Sequence, residues 1–389
     1  MGQAWIAGSP VEIGAAVGEA ARLLRASRHP LVAGLGTDVA GARAAVALAR
    51  QLGGAIDHMH SDALLRDLDV MREAGMMVTT LNEARLRADT LLIVGGALAM
   101  QSNPARALLG RPTAPEIGAG TQRRIFWLCP GQSTLGTAPE AEIQRIGGDV
   151  DEVPSRLAAL RARVAGRPIA GRVTGRSQLS AKALDALAAD LKAARFGVVV
   201  WSAAEIDALT VEMLCGLVDD LNGHTRFSGL PLAPDDNAAG VLDACAWATG
   251  LPVRTGFGRA EPEHDPWRFD AVRLVESREA DCAVWISAYG DVTPPWRGDL
   301  PTIALMGTGA SLVRSAHVQI EVGRPGLDHD TIEHLAATAT LVARAAPAPG
   351  DAMAVAQALR CIAAAMPPGD AGTPNDSDSN ALKAGRQPC

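Results

Sequence analysis

The stretch PLVAGLGTDVAGARAAVALARQLGGAID (Pro30–Asp57) contains a complete strand–helix–strand unit. Its first seven residues are apolar or glycine, which is typical of a buried parallel strand that ends in a glycine turn. Thr37 or Asp38 can cap the amide groups at the start of the following helix. Gly53 and Gly54 can end that helix in a left-handed conformation. The stretch predicts a parallel sheet that is covered by helices.

The same alternation of strands and helices continues along most of the chain. We therefore predict an α/β fold with Rossmann-like parallel sheets in two domains. The first domain takes residues 1–165 and is completed by about 308–366, and the second takes residues 178–307. A tail at 367–389 is rich in Pro, Gly, Ser and Asp, and is predicted to be disordered. Further strands are predicted at 88–96, 123–130, 195–203, 280–290, 300–307 and 315–323.

Composition narrows the classes of function. The 389 residues are 48% hydrophobic and carry a net charge of −7, which argues against a nucleic-acid groove. No apolar run reaches the ~18 residues that a membrane span needs. The six cysteines contain no C-x-x-C pair, so we expect free thiols in a reducing compartment. The start MGQAWIAGSP lacks the basic and apolar regions of a signal peptide, so we expect a cytoplasmic protein.

The glycine turn has two interpretations. Gly34 and Gly36 follow a strand, and Asp57 comes about twenty residues later, which partly fits a dinucleotide fingerprint. However, Val39 stands where the third glycine of that fingerprint belongs. An independent enzyme that binds a nucleotide or thiamine diphosphate at Gly34–Gly36 is therefore the alternative hypothesis. The Gly-Asp-Gly…Asn motif of thiamine enzymes is not found, and an ordinary structural turn is the other interpretation.

Two segments contain histidines that could in principle bind a metal ion. In IDHMHSD (56–62), strand alternation would place His58 and His60 on one side of the chain, as in the zinc sites of amidohydrolases. The further ligands of such a site are missing, which favours hydrogen-bonded loop histidines. The segment GLDHDTIEH (326–334) is predicted to be a polar loop that leads into a helix capped by Asp330.

Four longer segments, in this order, resemble the B subunit of formylmethanofuran dehydrogenase, in the molybdopterin oxidoreductase superfamily. The first is the stretch quoted above, and the second is EAGMMVTTLNEARLRADTLLIVGGALAMQSNPA (73–105). The third is GHTRFSGLPLAPDDNAAGVLDACAWATGLPVRTGFGRAEPEHDPWRF (223–269), and the fourth is AHVQIEVGRPGLDHDTIEH (316–334). The resemblance spans roughly residues 28–340 and implies the fold of the molybdopterin oxidoreductase core.

The chain departs from that family where the family uses cysteine. The family's metal-binding Cys or selenocysteine follows the Ala55–Asp57 strand, whereas residues 58–67 here contain no Cys. The family's iron–sulfur cysteines precede the first strand, and no Cys precedes Pro30 here. Soft metal centres and iron–sulfur clusters need thiolates. We therefore expect a fold without the N-terminal iron–sulfur domain, with neither the Mo/W-pterin site nor the [4Fe–4S] site.

Such a cysteine-free version resembles the B subunit of the bacterial formyltransferase/hydrolase complex. The resemblance implies a non-catalytic scaffold subunit with A, C and D type partners, in tetrahydromethanopterin- and methanofuran-linked oxidation of formaldehyde to formate. In such a complex the B chain would be a scaffold or would help to bind the glutamate-tailed carrier. The net charge and the short apolar runs predict no nucleic acid or membrane partner. We predict no catalytic, cofactor-binding or metal-binding residue. The resemblance predicts a relic cleft between the two halves, lined by Gly34, Gly36, His58, His60, Gly95 and Asn237.

Overall fold

The computed structural model describes residues 3–96, 104–109, 123–133, 143–169, 180–259, 261–296 and 300–366. The predicted disordered tail at 367–389 lies outside these residues. The strands are β1 (Ala4–Ile6), β2 (Ser9–Val11), β3 (Pro30–Gly36), β4 (Ala55–Ile56), β5 (Thr90–Val94), β6 (Arg124–Leu128), β7 (Ile143–Ile146), β8 (Gly197–Trp201), β9 (Phe227–Pro231), β10 (Thr255–Arg259), β11 (Glu261–His264), β12 (Cys282–Ser287), β13 (Thr302–Gly307), β14 (Val318–Val322), β15 (Thr331–Leu335) and β16 (Thr340–Arg344).

The α-helices lie between these strands in the alternation that the sequence predicts. They are α1 (Ile13–Ala26), α2 (Val39–Leu52), α3 (Ser61–Ala74), α4 (Leu81–Arg87), α5 (Val153–Val164), α6 (Ala181–Lys192), α7 (Ala208–Asn222), α8 (Ala238–Thr249), α9 (Ala271–Glu276) and α10 (Val355–Ala364). Among the residues that can be described, no helix is long and apolar enough to cross a membrane.

The strands form two main sheets. The nine-stranded sheet has the order β11-β10-β4-β3-β12-β13-β14-β1-β2, and its five central strands, β4 to β14 in that order, are parallel. The five-stranded sheet has the order β7-β6-β5-β8-β9 and is parallel throughout. The predicted fold class, α/β with parallel sheets, is confirmed.

The predicted domain boundaries differ from the division between the sheets. Strands β5 to β7, from the first predicted domain, lie in the five-stranded sheet, and β10 to β13, from the second, lie in the nine-stranded sheet. The chain crosses to the five-stranded sheet after β4 and returns through α8. The alternation of strands and helices does not reveal which sheet a strand joins, because each crossing is made by an ordinary helix.

Each main sheet is covered on both faces. In β3, Val32 and Leu35 belong to the core shared with α1, α2 and α10, whereas Leu31 and Ala33 face a second core that contains Trp285. Opposite orientation of neighbouring side chains is the geometry of a strand that is buried on both faces. The five-stranded sheet has two further cores of its own.

Helix α3 connects the two sheets. It begins directly after β4, and its Arg66 Nη1 donates to the carbonyl oxygen of Ala203 at 2.7 Å, beyond the end of β8. Trp201 Nε1, at the end of β8, donates to Asp67 Oδ1 at 3.0 Å. One helix therefore contacts the carboxyl-terminal ends of strands in both sheets.

The hairpin of β15 and β16 corrects a prediction. Residues 331–335 form a strand, not the helix that Asp330 was expected to cap, because Thr331 to Leu335 pair with the antiparallel strand β16. The hairpin contacts α4, since Asn82 N donates to the carbonyl oxygen of Ala337 at 2.9 Å.

Candidate functional site

The two glycines of the predicted turn are packed tightly against neighbouring backbone and side chains. A Cβ at Gly34 would lie 2.6 Å from the carbonyl oxygen of Ile286, and φ is +80° there, which favours glycine. A Cβ at Gly36 would lie 3.0 Å from Cε of Met59. The turn therefore brings β3 close to β12 and to the segment after β4.

His58 is buried directly after β4 and exposes 3% of its surface. Its backbone N–H donates to Ser61 Oγ at 3.0 Å, and its Nδ1 accepts from the backbone N–H of His60 at 3.0 Å. Burial and the nearby His60 lower the pKa of His58 to about 3, against the opposing effect of Asp236. The ring is therefore neutral at pH 7, with its proton on Nε2 because Nδ1 acts as an acceptor.

Asp57 precedes His58 and is also buried. Its carboxylate accepts from Ser61 Oγ at 2.5 Å and from the backbone N–H of Ala271 at 2.8 Å. Burial raises the pKa of Asp57 to about 6, although Arg254 and these hydrogen bonds oppose the shift. Because both carboxylate oxygens have partners within the protein, Asp57 does not act as the free ribose ligand of a dinucleotide site.

Arg254 forms the centre of an acidic cluster around Asp57. Its guanidinium lies 3.4 Å from Asp57 and 2.7 Å from Asp62, and it also pairs with Asp270. Its Nη1 donates to the carbonyl oxygen of Pro266 at 3.1 Å. One cation thus faces three carboxylates, and the cluster carries excess negative charge when all three are ionised.

His60 and Asn237 connect the segments after β3 and β4 to the start of α8. His60 Nε2 lies 3.1 Å from Asp236 Oδ2. Asn237 Nδ2 donates to the carbonyl oxygen of Thr37 at 2.9 Å, and its Oδ1 accepts from the backbone N–H of His334 at 2.9 Å. Asn237 therefore holds together the turn after β3, the start of α8 and the strand β15.

The structure brings five of the six predicted cleft residues to one end of the nine-stranded sheet. Gly95 is the exception, because it follows β5 in the other sheet, where a Cβ would lie 3.2 Å from Glu205. The neighbouring Gly96 N–H donates to that carboxylate at 2.6 Å. No described contact joins this group to His58, so Gly95 forms a separate corner, and its assignment to the cleft stays a prediction.

A cavity of about 220 Å³ opens beside His58. It is lined by Gly34, Asp57, His58, Met59, His60, Ser61, Asp62, Arg254, Asp270, Ala271, Val272, Trp285, Val292, Thr293 and Pro295. Sequence reasoning missed Arg254 and Asp270. Asp270 precedes a short helix and caps it, which was the one local signal available for this cluster.

The N-terminus of α2 is already occupied by a side chain of the protein. Asp38, with 4% exposure, accepts from the backbone N–H of Gly41 at 2.8 Å. A pyrophosphate in a dinucleotide site would sit at this helix end. The Asp38 carboxylate takes up that position and would repel the phosphate charge.

The chain matches no protein-family model. It is 37% identical, over 332 residues, to the B subunit of the formyltransferase/hydrolase complex Fhc from Methylorubrum extorquens, covering 83% of this chain and 85% of that protein. The chain belongs to the Fhc B-subunit family. The resemblance to this B subunit that the sequence predicts is confirmed. The match gives no support to the alternative of an independent enzyme that binds a nucleotide or thiamine diphosphate.

Two further similarities agree with membership of the Fhc B-subunit family. A chain in the X-ray crystal structure of the formyltransferase/hydrolase complex FhcABCD from Methylorubrum extorquens, in complex with methylofuran, matches with a TM-score of 0.82 and 33% identity. That match covers 93% of this chain and 98% of the other. The B subunit of tungsten-containing formylmethanofuran dehydrogenase 2 from Methanocaldococcus jannaschii is 26% identical over 300 residues, which cover 72% of this chain and 64% of that protein.

The described residues of this Fhc B-subunit family member do not fit the metal cofactor that the tungsten relative implies. No cysteine lines the cavity beside His58. The buried thiols of Cys129, Cys245 and Cys282 lie elsewhere, and burial raises their pKa to about 12, so they remain protonated. Within the described ranges, no three His, Cys, Asp or Glu side chains are grouped to hold a metal ion. The cavity is also smaller than the ~300 Å³ lower end of cofactor pockets.

Proposed function

We propose that this chain is the non-catalytic scaffold subunit of a formyltransferase/hydrolase complex. One observation carries the proposal: the chain superposes on 98% of a chain in the FhcABCD crystal structure at 33% identity. A chain with nearly the whole fold of a chain from that complex can take the same place among its partners. Its partners are then A, C and D type subunits, and its setting is the one-carbon pathway from formaldehyde to formate.

The scaffold role is supported by the chemistry of the site. In residues 58–67, where a redox relative carries its thiolate ligand, this chain has no cysteine, and His58 and the preceding Asp57 are engaged in hydrogen bonds of the fold. Ser61 and Arg254 complete that internal network. The Asp57 carboxylate, with both oxygens hydrogen-bonded inside the protein, is not available as a metal ligand.

The proposal extends to compartment and carrier. The five described cysteines, at positions 129, 215, 245, 282 and 361, are free thiols, which suits a reducing cytoplasm. The matched crystal structure contains methylofuran. Contact between this chain and a glutamate-tailed carrier of that type is the finer part of the proposal.

Co-purification tests the assembly. We expect a tagged copy of the chain, isolated from its own host, to bring down three other polypeptides that mass spectrometry assigns to A, C and D type subunits. Isolation as a monodisperse monomer with its own turnover would contradict the scaffold role.

Substitution of the two histidines tests the absence of catalysis. We expect the complex that carries His58→Ala and His60→Ala to assemble and to keep its formyl transfer and formyl hydrolysis rates. Loss of both activities in a complex that still assembles would show that this chain has a direct chemical role. Loss of assembly would instead show that the histidines hold a partner surface, and single substitutions would then separate the two roles.

A further inference from the structure

A groove of about 600 Å³ lies between the end of α3 and the helices α5 and α7. It is lined by Ala74, Gly75, Met76, Met77, Arg161, Glu212, Cys215, Gly216, Val218 and Asp219. The guanidinium of Arg161 packs against α7 where Gly216 has no side chain, since a Cβ there would lie 2.5 Å from its Cζ. Ligand sites in proteins measure ~300–1,000 Å³. The groove therefore has room for a bound molecule or for several side chains of a bound protein.

Exposed apolar side chains continue beyond this groove. Met71, Met77 and Val78 are all exposed, and they lie within eight residues of the chain. Leu209 is exposed as well, and it precedes Gly216 by seven residues on the same face of α7. Apolar patches with a polar rim mark surfaces that bind other proteins. A small molecule in the groove would leave these side chains in water, so the patch fits a larger occupant.

The wall of the groove that contains Met77 is held in place by backbone hydrogen bonds. The N–H of Gly229 donates to the carbonyl oxygen of Met77 at 2.8 Å, and the N–H of Thr79 donates to the carbonyl oxygen of Gly229 at 2.9 Å. The segment after α3 is thereby attached to β9, the last strand of its sheet. A wall that is ordered before binding loses little entropy on binding, and the flexible methionine side chains can adapt to the occupant.

The charges in the groove favour a cationic occupant. Arg161 is the one cation among the lining residues, and its Nε already pairs with Asp220 Oδ2 at 2.7 Å. Glu212 and Asp219 are exposed and form no ion pair with any described residue. The groove therefore carries two carboxylates in excess, and complementary charge on a partner would be attracted to it.

The two carboxylates have a defined spacing. Glu212 and Asp219 are seven residues apart on α7, which corresponds to about 10 Å along the helix axis. Cys215 lies between them, and burial together with the charges of Asp67 and Glu212 raises the pKa of its thiol to about 11. The thiol is therefore neutral at pH 7 and forms an apolar surface between two anionic ends.

We propose that this groove binds a segment of a partner subunit that carries two Lys or Arg side chains about 10 Å apart, with an apolar side chain between them. The two cations pair with Glu212 and Asp219, and the apolar side chain packs against Met77 and Cys215. The inference rests on the proposed scaffold role and adds the position and the chemistry of one contact. A second copy of this chain is a poorer occupant, because a symmetric contact would bring the same carboxylates face to face.

Photo-crosslinking in the purified complex identifies the occupant of the groove. The probe is p-benzoylphenylalanine in place of Met77, and mass spectrometry locates the residues to which it becomes attached. We expect attachment to one segment of a partner subunit, with basic, apolar and basic residues at the stated spacing. Attachment to a second copy of this chain, attachment only to other residues of this chain, or no attachment would overturn the proposal.

Charge reversal tests the two ion pairs. Glu212→Lys combined with Asp219→Lys brings cations opposite the cations of the partner, and both positions are exposed. At low salt we expect the apparent Kd of the cross-linked subunit to rise about ten-fold or more, because like charges that face each other are repelled. The difference should shrink at high salt, which screens exposed charges. The control is Glu276→Lys, an exposed position on α9 and outside the groove, which should leave the Kd unchanged.

A charge swap completes the test. Replacing the two basic residues of the cross-linked segment by Glu should restore the affinity for the Glu212→Lys and Asp219→Lys variant. Unchanged affinity of that variant, or no restoration by the swap, would overturn the proposed pairing. The groove and the scaffold role fail in different ways. Co-purification without partners contradicts both, whereas an intact complex with nothing attached at position 77 contradicts the groove alone.

Discussion

The backbone N–H of His60 donates to Nδ1 of His58 at 3.0 Å, in the partly buried segment that follows β4. This bond makes Nδ1 of His58 an acceptor and so places the ring proton on Nε2. It also means that protonation of His58 would break a hydrogen bond as well as place a charge in the interior. The two histidines of this segment thus have different roles, since His60 pairs with Asp236 at 3.1 Å.

The first prediction concerns the charge of His58. Burial and the neighbouring His60 lower the pKa of His58 to about 3, so its ring should stay neutral from pH 8 down to pH 4. Nitrogen-15 NMR of a histidine-labelled sample should show a protonated Nε2, an unprotonated Nδ1 and no titration of this ring in that range. A midpoint near 6.5, or the opposite tautomer, would contradict the geometry.

The same shift affects stability. A histidine with a folded pKa below its unfolded value stabilises the fold above about pH 6.5, and that contribution is lost as the pH falls from there toward 3. The loss is about 1.4 kcal/mol per pH unit over this range. His58→Phe removes this titrating group. Between pH 6 and pH 4, the unfolding free energy of the variant should therefore fall less steeply than that of the wild type, by about 1.4 kcal/mol per pH unit. Urea titrations at several pH values can measure the difference.

The second prediction concerns Arg254, which is largely buried among three carboxylates. Arg254→Met keeps much of the side-chain volume but leaves Asp57 and Asp270 without their cation. Removing one partner of a buried ion pair is strongly destabilising, and we expect a loss of about 3 kcal/mol in unfolding free energy. Arg72→Met, in an exposed pair with Asp69, should leave the urea midpoint unchanged. An equal effect of both substitutions would show that the cluster does not stabilise the fold.

The sequence was sufficient where the relevant contacts are local. The stretch at 30–57 folds as predicted, with Asp38 as the side-chain cap of α2 and Gly53 in the left-handed conformation at φ +65°. Both positions are decided by backbone conformation and by hydrogen bonds within three or four residues. Local patterns of this kind predict helix starts and stops well.

The sequence was insufficient where contacts join distant parts of the chain. His60 meets Asp236 across 176 residues, and Arg254 meets Asp62 across 192. Nothing in the local pattern around Arg254 indicates three acidic neighbours.

The segment at 331–335 is a different case, because the sequence predicts a helix there although the partner strand β16 begins only five residues later, at Thr340. Tertiary and strand-pairing contacts of this kind override the local preference.

The third prediction concerns Asp67, on the helix that joins the two sheets. Burial raises the pKa of Asp67 to about 6, although Trp201 Nε1 donates to its carboxylate at 3.0 Å. A carboxyl whose folded pKa lies above its unfolded value of ~3.9 destabilises the fold increasingly as the pH rises from 4 to 6, and fully above that. Asp67→Asn keeps an oxygen for Trp201 and should add up to about 3 kcal/mol of unfolding free energy at pH 8.

Measuring the gain in unfolding free energy at both pH 8 and pH 4 shows whether it comes from the charge of Asp67. At pH 4 the gain from Asp67→Asn should nearly vanish, because the aspartate is then protonated in the folded chain. Asp69→Asn on the same helix is the control, since its carboxylate is exposed and pairs with Arg72 at 3.2 Å. A gain that is the same at both pH values would show that the charge of Asp67 is not the cause.

The fourth prediction concerns Asn237, whose side chain bonds to both Thr37 and His334 at 2.9 Å and whose φ is +56°. Asn237→Gly suits this backbone conformation but removes both hydrogen bonds, whereas Asn237→Ala removes the bonds and adds backbone strain. Two lost bonds correspond to about 2 kcal/mol, and the left-handed conformation of alanine costs about 1 kcal/mol more. The unfolding free energy should therefore be highest for the wild type, lower for Asn237→Gly and lowest for Asn237→Ala. If Asn237→Gly is as stable as the wild type, the positive φ is what matters and the two hydrogen bonds contribute nothing, which urea unfolding of the three proteins side by side will decide.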